Sequence, residues 1–491
     1  MDATDEVYDV IVAGTGAAGL AAALTAIDTA RELATGDLSV LVVDRAPRDH
    51  AGGNSFWSTA GFRMPDTTRV NDRFVESFAA VGVTAPDYVA RLAADAPAAL
   101  QWLAGKGVRF RPPRIFLTSD DPRISPEGQG AEIVTALRRE LERHTSGVFY
   151  ERDGQSHAAG VEIRYATEAT DLVRDDDGTV VGMTLRGPDG EVRSVRATAV
   201  VLATGGFEGN PEMMRRHVGY VVPTICRGGS YNTGAGITMA LAAGARRTGR
   251  WDNFHPLPAD PRSAGGDRGL LTFAAIMETV PYSIMLNRKA ARFMDEGVTT
   301  MDLLYDEVGR AVQAQPEQIA YAVFDAKTAG LPQWREAVSR DLLDEPYSAA
   351  TIGELAAQLG IDPEAARETV AAYNAAAPDG GARFDAMRPD GLRTAPGLTP
   401  AKSNWAQRVD TAPFYAFPVT CANVFTMGGI GTSPAAEVVT EAGDPIPGLY
   451  AAGEMTGLYQ AKYVGATSYL RSLVFGRIAG RNAATRALGL G

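Results

Sequence analysis

The chain has 491 residues, 45% of them hydrophobic and 22% charged, with a formal net charge of −12. That length exceeds one simple core and predicts two or three domains, while the acidic balance argues against nucleic-acid partners, which need a basic face. No stretch approaches the roughly 18 apolar residues of a membrane span, and the acidic opening MDATDEVYDV runs straight into a strand pattern, so no signal peptide is expected.

Val10 to Ala13 reads as a short apolar strand, and Gly14-Thr15-Gly16-Ala17-Ala18-Gly19 follows at once, leading into an alanine-rich helix from about Leu20. Each glycine has a physical task. Gly14 permits the tight turn, Gly16 lets backbone approach a pyrophosphate, and Gly19 allows close packing of helix on strand. The helix N-terminus then faces the phosphates. A second strand, Ser39 to Val43, ends in Asp44, the acid expected on ribose hydroxyls. The gap of 25 residues between Gly19 and Asp44 is slightly long and predicts a modest insertion around Thr35-Gly36-Asp37.

FAD rather than NAD follows from the next segments. Gly52-Gly53-Asn54-Ser55 and Ser58-Thr59-Ala60-Gly61 form a second glycine and hydroxyl loop, which a longer dinucleotide needs. Asp175 to Gly178 and Gly187 to Gly190 are predicted hairpin turns between alternating strands. Ala199 to Leu202 reads as a buried strand entering the turn Thr204-Gly205-Gly206. Ile352 to Leu359 and Pro363 to Ala375 carry helical patterns, before a Pro/Gly-rich tract from Pro378 to Pro400. Ile446 to Ala452 is a further strand ending at Gly453 and Glu454, a carboxylate suited to ribityl hydroxyls. Ala18, Arg45, Ala169, Ser468 and Leu470 complete the expected cofactor-binding set.

Only one strand–GxGxxG–helix–acid unit occurs, since Gly428-Gly429-Ile430-Gly431 lacks the flanking elements. A dedicated NAD(P)H domain is therefore not expected, and an external electron donor or acceptor is. Cys226 and Cys421 match no zinc or haem spacing and read as structural thiols in a reduced, cytoplasmic setting. The five histidines show no metal-ligand spacing, so no metal site is expected.

The segments GTGAAG, GGNS, ATGGFEGN, NRKAARFMDE, TMGG, PGLYAAGEMTG and FGRIAGRNA occur in family order. With them the chain resembles the fumarate reductase/succinate dehydrogenase flavoprotein superfamily. The resemblance implies an α/β fold: a Rossmann-type, glutathione-reductase-like FAD domain over 1–251 and 426–491, interrupted by an α+β cap over 252–425. It also implies non-covalent FAD, because covalent members carry a histidine where this chain has Asn54.

The same resemblance marks the flavin face. His255 takes the place of the family's cap histidine, which binds a substrate carboxylate or carbonyl. A second family histidine is replaced by Phe425, the proton-donating arginine by Met301, and a carboxylate-clamping arginine by Tyr463. A dicarboxylate needs fixed positive charge at both ends, so fumarate is not the expected substrate. The chain looks closer to the tricarballylate dehydrogenase-like and 3-ketosteroid dehydrogenase-like branches. Tyr463, His255 and Tyr305 are the catalytic candidates, Tyr305 because it lies one helical turn beyond Met301. Arg63 and Lys462 are possible anion contacts.

The expected activity is FAD-dependent oxidation or reduction of a CH–CH bond beside a carbonyl or carboxylate in a small molecule. Two alternatives are a flavin-dependent monooxygenase or oxidase, and a non-catalytic flavin-binding redox partner.

Overall fold

The computed structural model describes residues 6–33, 38–112, 122–145, 148–152, 155–219, 225–227, 229–263, 274–332, 334–336, 345–378 and 384–490. The predicted insertion at Thr35 to Asp37 lies outside them.

β1 (Glu6–Ala13) is longer than its apolar run, yet only the run Val10, Ile11 and Val12 is wholly buried. It lies parallel to β2 (Ser39–Val43), with Val10 opposite Val40. Five parallel strands form the centre of the sheet, in the order Pro445–Ala451, Val192–Leu202, β1, β2 and Gln155–Arg164. Continuous apolar runs suit strands covered on both faces. The hairpin Glu168–Arg174/Val180–Arg186 joins through Val192–Leu202. Its turn is local chemistry: Asp175 Oδ1 accepts from the amides of Asp177 and Thr179, and Gly178 sits at φ +84°.

α1 (Ala17–Glu32) starts at the glycine turn and packs along its length on the helix Ser468–Ala487. The packing is close because both faces are small. A Cβ on Gly476 or Gly480 would overlap the carbonyl oxygens of Ala18 and Ala22.

A second sheet is antiparallel, in the order Phe254–Ala259, Phe414–Thr426, Ile319–Asp325 and Ile284–Asn287, with Tyr347–Ala349 also on Phe414–Thr426. Side chains alternate along Ile319–Asp325 and split the core in two. Ala320, Ala322 and Phe324 meet the helix Met301–Gln313, while Tyr321 and Val323 meet the helices Ile352–Leu359 and Pro363–Ala376. Those two helices match the predicted patterns and carry their own start signals: a Thr351/Glu354 capping box and an Asp362 cap followed by Pro363.

The carboxyl ends of β1, Val192–Leu202 and Pro445–Ala451 converge, and the two ends of the second sheet nearest them carry His255 and Phe425. A crevice at the carboxyl ends of parallel strands is where such sheets hold ligands.

Candidate active site

A cavity of about 1010 Å³ runs from the start of α1 to the second sheet. That is at or above the ~300–1,000 Å³ of an ordinary ligand site. All the expected cofactor residues line it except Gly19 and Leu470. Gly19 instead packs against the Gly14 carbonyl, where a Cβ would overlap it, and Leu470 is fully buried in the core beside α1. Both therefore support the site from behind.

The nucleotide end is built from backbone. Gly14 adopts φ +108°, and a Cβ there would run into Ala203. Beside Gly16, by contrast, the nearest protein atom to a Cβ would be Ser55 Oγ at 3.4 Å, so that side is open to the cavity. Ser55 Oγ accepts from the Ala17 amide at 3.0 Å and anchors the glycine loop to the helix start. Asp44 already accepts from the Thr15 amide at 2.8 Å, from the Thr15 hydroxyl, and from the Ala46 amide at 2.8 Å. Its carboxylate is thus fixed in place by the loop that it faces, and burial pushes its acidity to higher pH. Arg45 reaches Thr233 at 2.5 Å from the rim. Open glycine backbone at a helix N-terminus, hydroxyls and an acceptor acid together fit a dinucleotide with a pyrophosphate.

Further in, the Asn54 amide nitrogen donates to Glu208 Oε1 at 2.6 Å, Glu454 Oε2 at 3.0 Å and the Val424 carbonyl at 3.1 Å. Asn54 and Glu454 line the cavity; Glu208 stands behind them.

The far end brings the three catalytic candidates together. The His255 ring centre lies 4.6 Å from Tyr463, 4.9 Å from Phe425 and 5.3 Å from Tyr305. His255 Nδ1 meets Asp306 Oδ2 at 3.2 Å, and Asp306 Oδ1 accepts from Arg310 Nε at 2.9 Å. Burial lowers the His255 pKa, Asp306 partly offsets this, and the charges of Arg310 and Arg227 add to the fall. Asp306 ends below its usual range: burial opposes ionisation, but the His255 bond and the Arg310 charge outweigh it. Tyr463 lies just before Ser468–Ala487, and its hydroxyl accepts from the Thr467 and Ser468 amides at 3.1 and 3.2 Å. The hydroxyl proton is left for Ser468 Oγ, 3.0 Å away, or for an oxygen in the cavity. Tyr305 has no hydrogen bond to a described residue, and burial, helped by Tyr463 and Asp306, keeps it a neutral phenol.

A second cavity of about 570 Å³ also reaches His255, Tyr305 and Tyr463. Arg63 and Lys462 line this one rather than the first; Arg63 Nε binds the Gly465 carbonyl at 3.1 Å and Lys462 pairs with Glu307 at 2.9 Å. Met301 lines neither and is buried in the second-sheet core.

Several residues carry no signal in the sequence reading. Arg123 and Arg227 both line the first cavity, and Arg123 pairs with Asp302 at 2.8 Å. The cavity therefore keeps cations even though the sequence resemblance puts Met301 and Tyr463 at the family's arginine positions. Asp306 and Arg310 had one usable signal, their i,i+4 spacing on the helix that carries Met301 and Tyr305.

A family model described as an FAD binding domain matches residues 9–469. The chain belongs to this FAD-binding family. Among its relatives, "Probable fumarate reductase Ifc3" of Shewanella frigidimarina is 30% identical over 98% of this chain and 76% of its own length. The 4-oxocyclohexanecarboxylate 2-dehydrogenase of Sinomonas cyclohexanicum is 32% identical over 64% of this chain and 55% of its own. The open conformation of a flavocytochrome c3 fumarate reductase superposes with a TM-score of 0.76 at 26% identity, covering 98% of this chain and 79% of that one. FAD is accordingly the cofactor of this family member, within a mixed α/β flavoprotein fold. Among the described residues no helix is long and apolar enough to cross a membrane.

Proposed function

We propose that the protein is an FAD-dependent dehydrogenase or reductase acting on a CH–CH bond beside a carbonyl or carboxylate. The observation that carries this reading is the meeting of His255, Tyr305 and Tyr463 at one end of the cavity whose other end fits FAD. Relatives named as a fumarate reductase and as a 4-oxocyclohexanecarboxylate dehydrogenase support the reaction class. Residues 252–425 act as a cap over an FAD domain of residues 1–251 and 426–491.

When bound, FAD supplies two-electron redox chemistry. Gly14, Gly16 and Ala17 hold its pyrophosphate, Asp44 and Arg45 its adenosine side, and Asn54, Ser55 and Glu454 the inner part, without a covalent link. Tyr463 donates to the substrate oxygen and so acidifies the adjacent C–H. His255, held by Asp306, takes that proton through Nε2. Tyr305, stacked edge-on beside His255, relays that same proton, while the hydrogen on the neighbouring carbon leaves with its electron pair as the hydride that FAD would accept. Arg123 and Arg227 hold a carboxylate where the substrate has one. Phe425 and the buried aromatic wall keep water from the reacting carbons. An external carrier exchanges electrons with the protein.

An anaerobic titration of the oxidised holoprotein tests this reading by visible absorbance. Saturated cyclic ketones and tricarballylate-like acids are added in turn. Bleaching by either class establishes dehydrogenation and assigns the pocket. Absence of bleaching with both, and of reoxidation of the reduced protein by the matching unsaturated compounds, removes the reading.

A further inference from the structure

Two carboxyl groups face each other beside the cavity, and neither forms an ion pair among the described residues. Glu208 is 4% exposed. Its Oε1 accepts from Asn54 and from Asn232, each at 2.6 Å, while its Oε2 has no N–H or O–H donor. Glu454 Oε1 accepts from the Thr426 amide at 3.0 Å, and its Oε2 from Asn54 at 3.0 Å. The undonated Oε2 of Glu208 and Oε1 of Glu454 converge over Gly206, where a Cβ would overlap both. Arg471 acts on Glu454 as a cation, but its Nη1 is bound to the Thr456 carbonyl.

Two buried like charges at such range cannot both persist, because neither has a counterion to offset the lost hydration. A proton between the facing oxygens satisfies the orphaned one and removes the repulsion, as in other carboxyl dyads that share one proton. We propose that Glu208 is a positioning residue that carries this shared proton, holding Glu454 as an ionised acceptor for FAD hydroxyls, so that loss of the proton releases the cofactor. The proposal rests on the assignment of Glu454 as a cofactor contact. Burial first, then the Glu454 charge, drives the Glu208 acid well above the usual range. Glu454 is raised by burial, with the bonds from Glu208, Thr426 and Asn54 pulling it back. Cys226, the other titratable group facing the pair, is pushed up by burial and by both carboxyls and stays a neutral thiol.

The sign follows from linkage. FAD covering the pair removes its remaining water, so the shared proton is held more tightly in the holoprotein than in the apoprotein, and the binding this contributes is lost as pH climbs toward the raised value. FAD retention therefore falls with rising pH.

Infrared spectroscopy of the holoprotein, together with FAD dissociation constants from flavin fluorescence, tests this. At about pH 7 the wild type shows a protonated-carboxyl carbonyl band that Glu208→Gln removes, and the band fades as FAD affinity falls at least about tenfold toward pH 10. Glu208→Gln keeps a neutral donor facing Glu454, so its FAD affinity stays flat over the same range. Glu454→Gln weakens FAD throughout; if it does not, the assignment of Glu454 as a contact fails, whatever the band shows. Absence of the band, a flat wild-type profile, or the same alkaline loss in Glu208→Gln overturns the proton-sharing proposal. The wild-type band and affinity, followed together against pH, decide the matter even if the glutamine variant does not fold.

Discussion

Asp306 Oδ2 lies 3.2 Å from Nδ1 of His255, both side chains are buried, and the other Asp306 oxygen is tied to Arg310 one helical turn on. A carboxylate on Nδ1 fixes the tautomer and leaves Nε2 as the acceptor toward the cavity. Burial already holds His255 below the ordinary histidine value, and the Asp306 charge is what limits the fall. In the proposed oxidative mechanism neutral His255 is the base, so kcat/KM is expected to fall as pH drops through its titration. Asp306→Asn removes the supporting charge, moves that acid limb to lower pH, and lowers the plateau by about 10–100-fold. A pH–rate profile identical to wild type would remove Asp306 from the mechanism.

The two tyrosines separate by their bonding. Tyr463 accepts two backbone amides and Tyr305 none from described residues. Each Tyr→Phe change is expected to lower kcat by roughly 10²-fold. Only Tyr463→Phe should also destabilise the fold, by about 1 kcal/mol, for the lost acceptor. Single-turnover flavin reduction and denaturant midpoints distinguish the two, and unchanged reduction rates would dismiss either residue.

Gly14 and Gly16 belong to one motif but do different work. Gly14→Ala meets the Ala203 backbone at a positive φ, so it lowers stability by several kcal/mol. Gly16→Ala finds 3.4 Å of clearance within the protein, so it should fold and fail to retain FAD. Melting temperature and flavin content of the purified variants check this. A flavin-replete Gly16→Ala protein would contradict the placement of the pyrophosphate.

Gly476→Ala and Gly480→Ala push a methyl group into α1 carbonyls. Overpacking of this kind costs typically about 1–3 kcal/mol. Urea midpoints should fall in both, and a neutral result at either would mean that the helices can separate without loss.

The nucleotide half was legible because its chemistry is local. A turn at Gly14, an acid at Asp44 and hydroxyls at Ser55 each follow from neighbours in the chain. The helical turn expected between Met301 and Tyr305 also appears, within the helix Met301–Gln313. What the sequence did not disclose is made by long-range convergence. Arg123 pairs with Asp302 across 179 positions of chain (302 − 123), and Asn54 joins Glu208 to Glu454. No periodicity encodes such meetings. Asp44 shows the limit from the other side: its identity was readable, but its prior engagement with Thr15 and Ala46 was not.

The close packing of α1 on Ser468–Ala487 has a consequence for biosynthesis. α1 leaves the ribosome long before its partner helix. The face carrying Ala18 and Ala22 lacks this partner while 435 intervening residues, 33 to 467, are made. Strand pairing of β1 with Pro445–Ala451 through Val192–Leu202 is delayed in the same way. The cleft is therefore complete only once Ser468–Ala487 has been made, and a ribosome stalled before Ser468 carries a chain that has most of the cavity-lining residues but lacks the buttress that shapes their cleft.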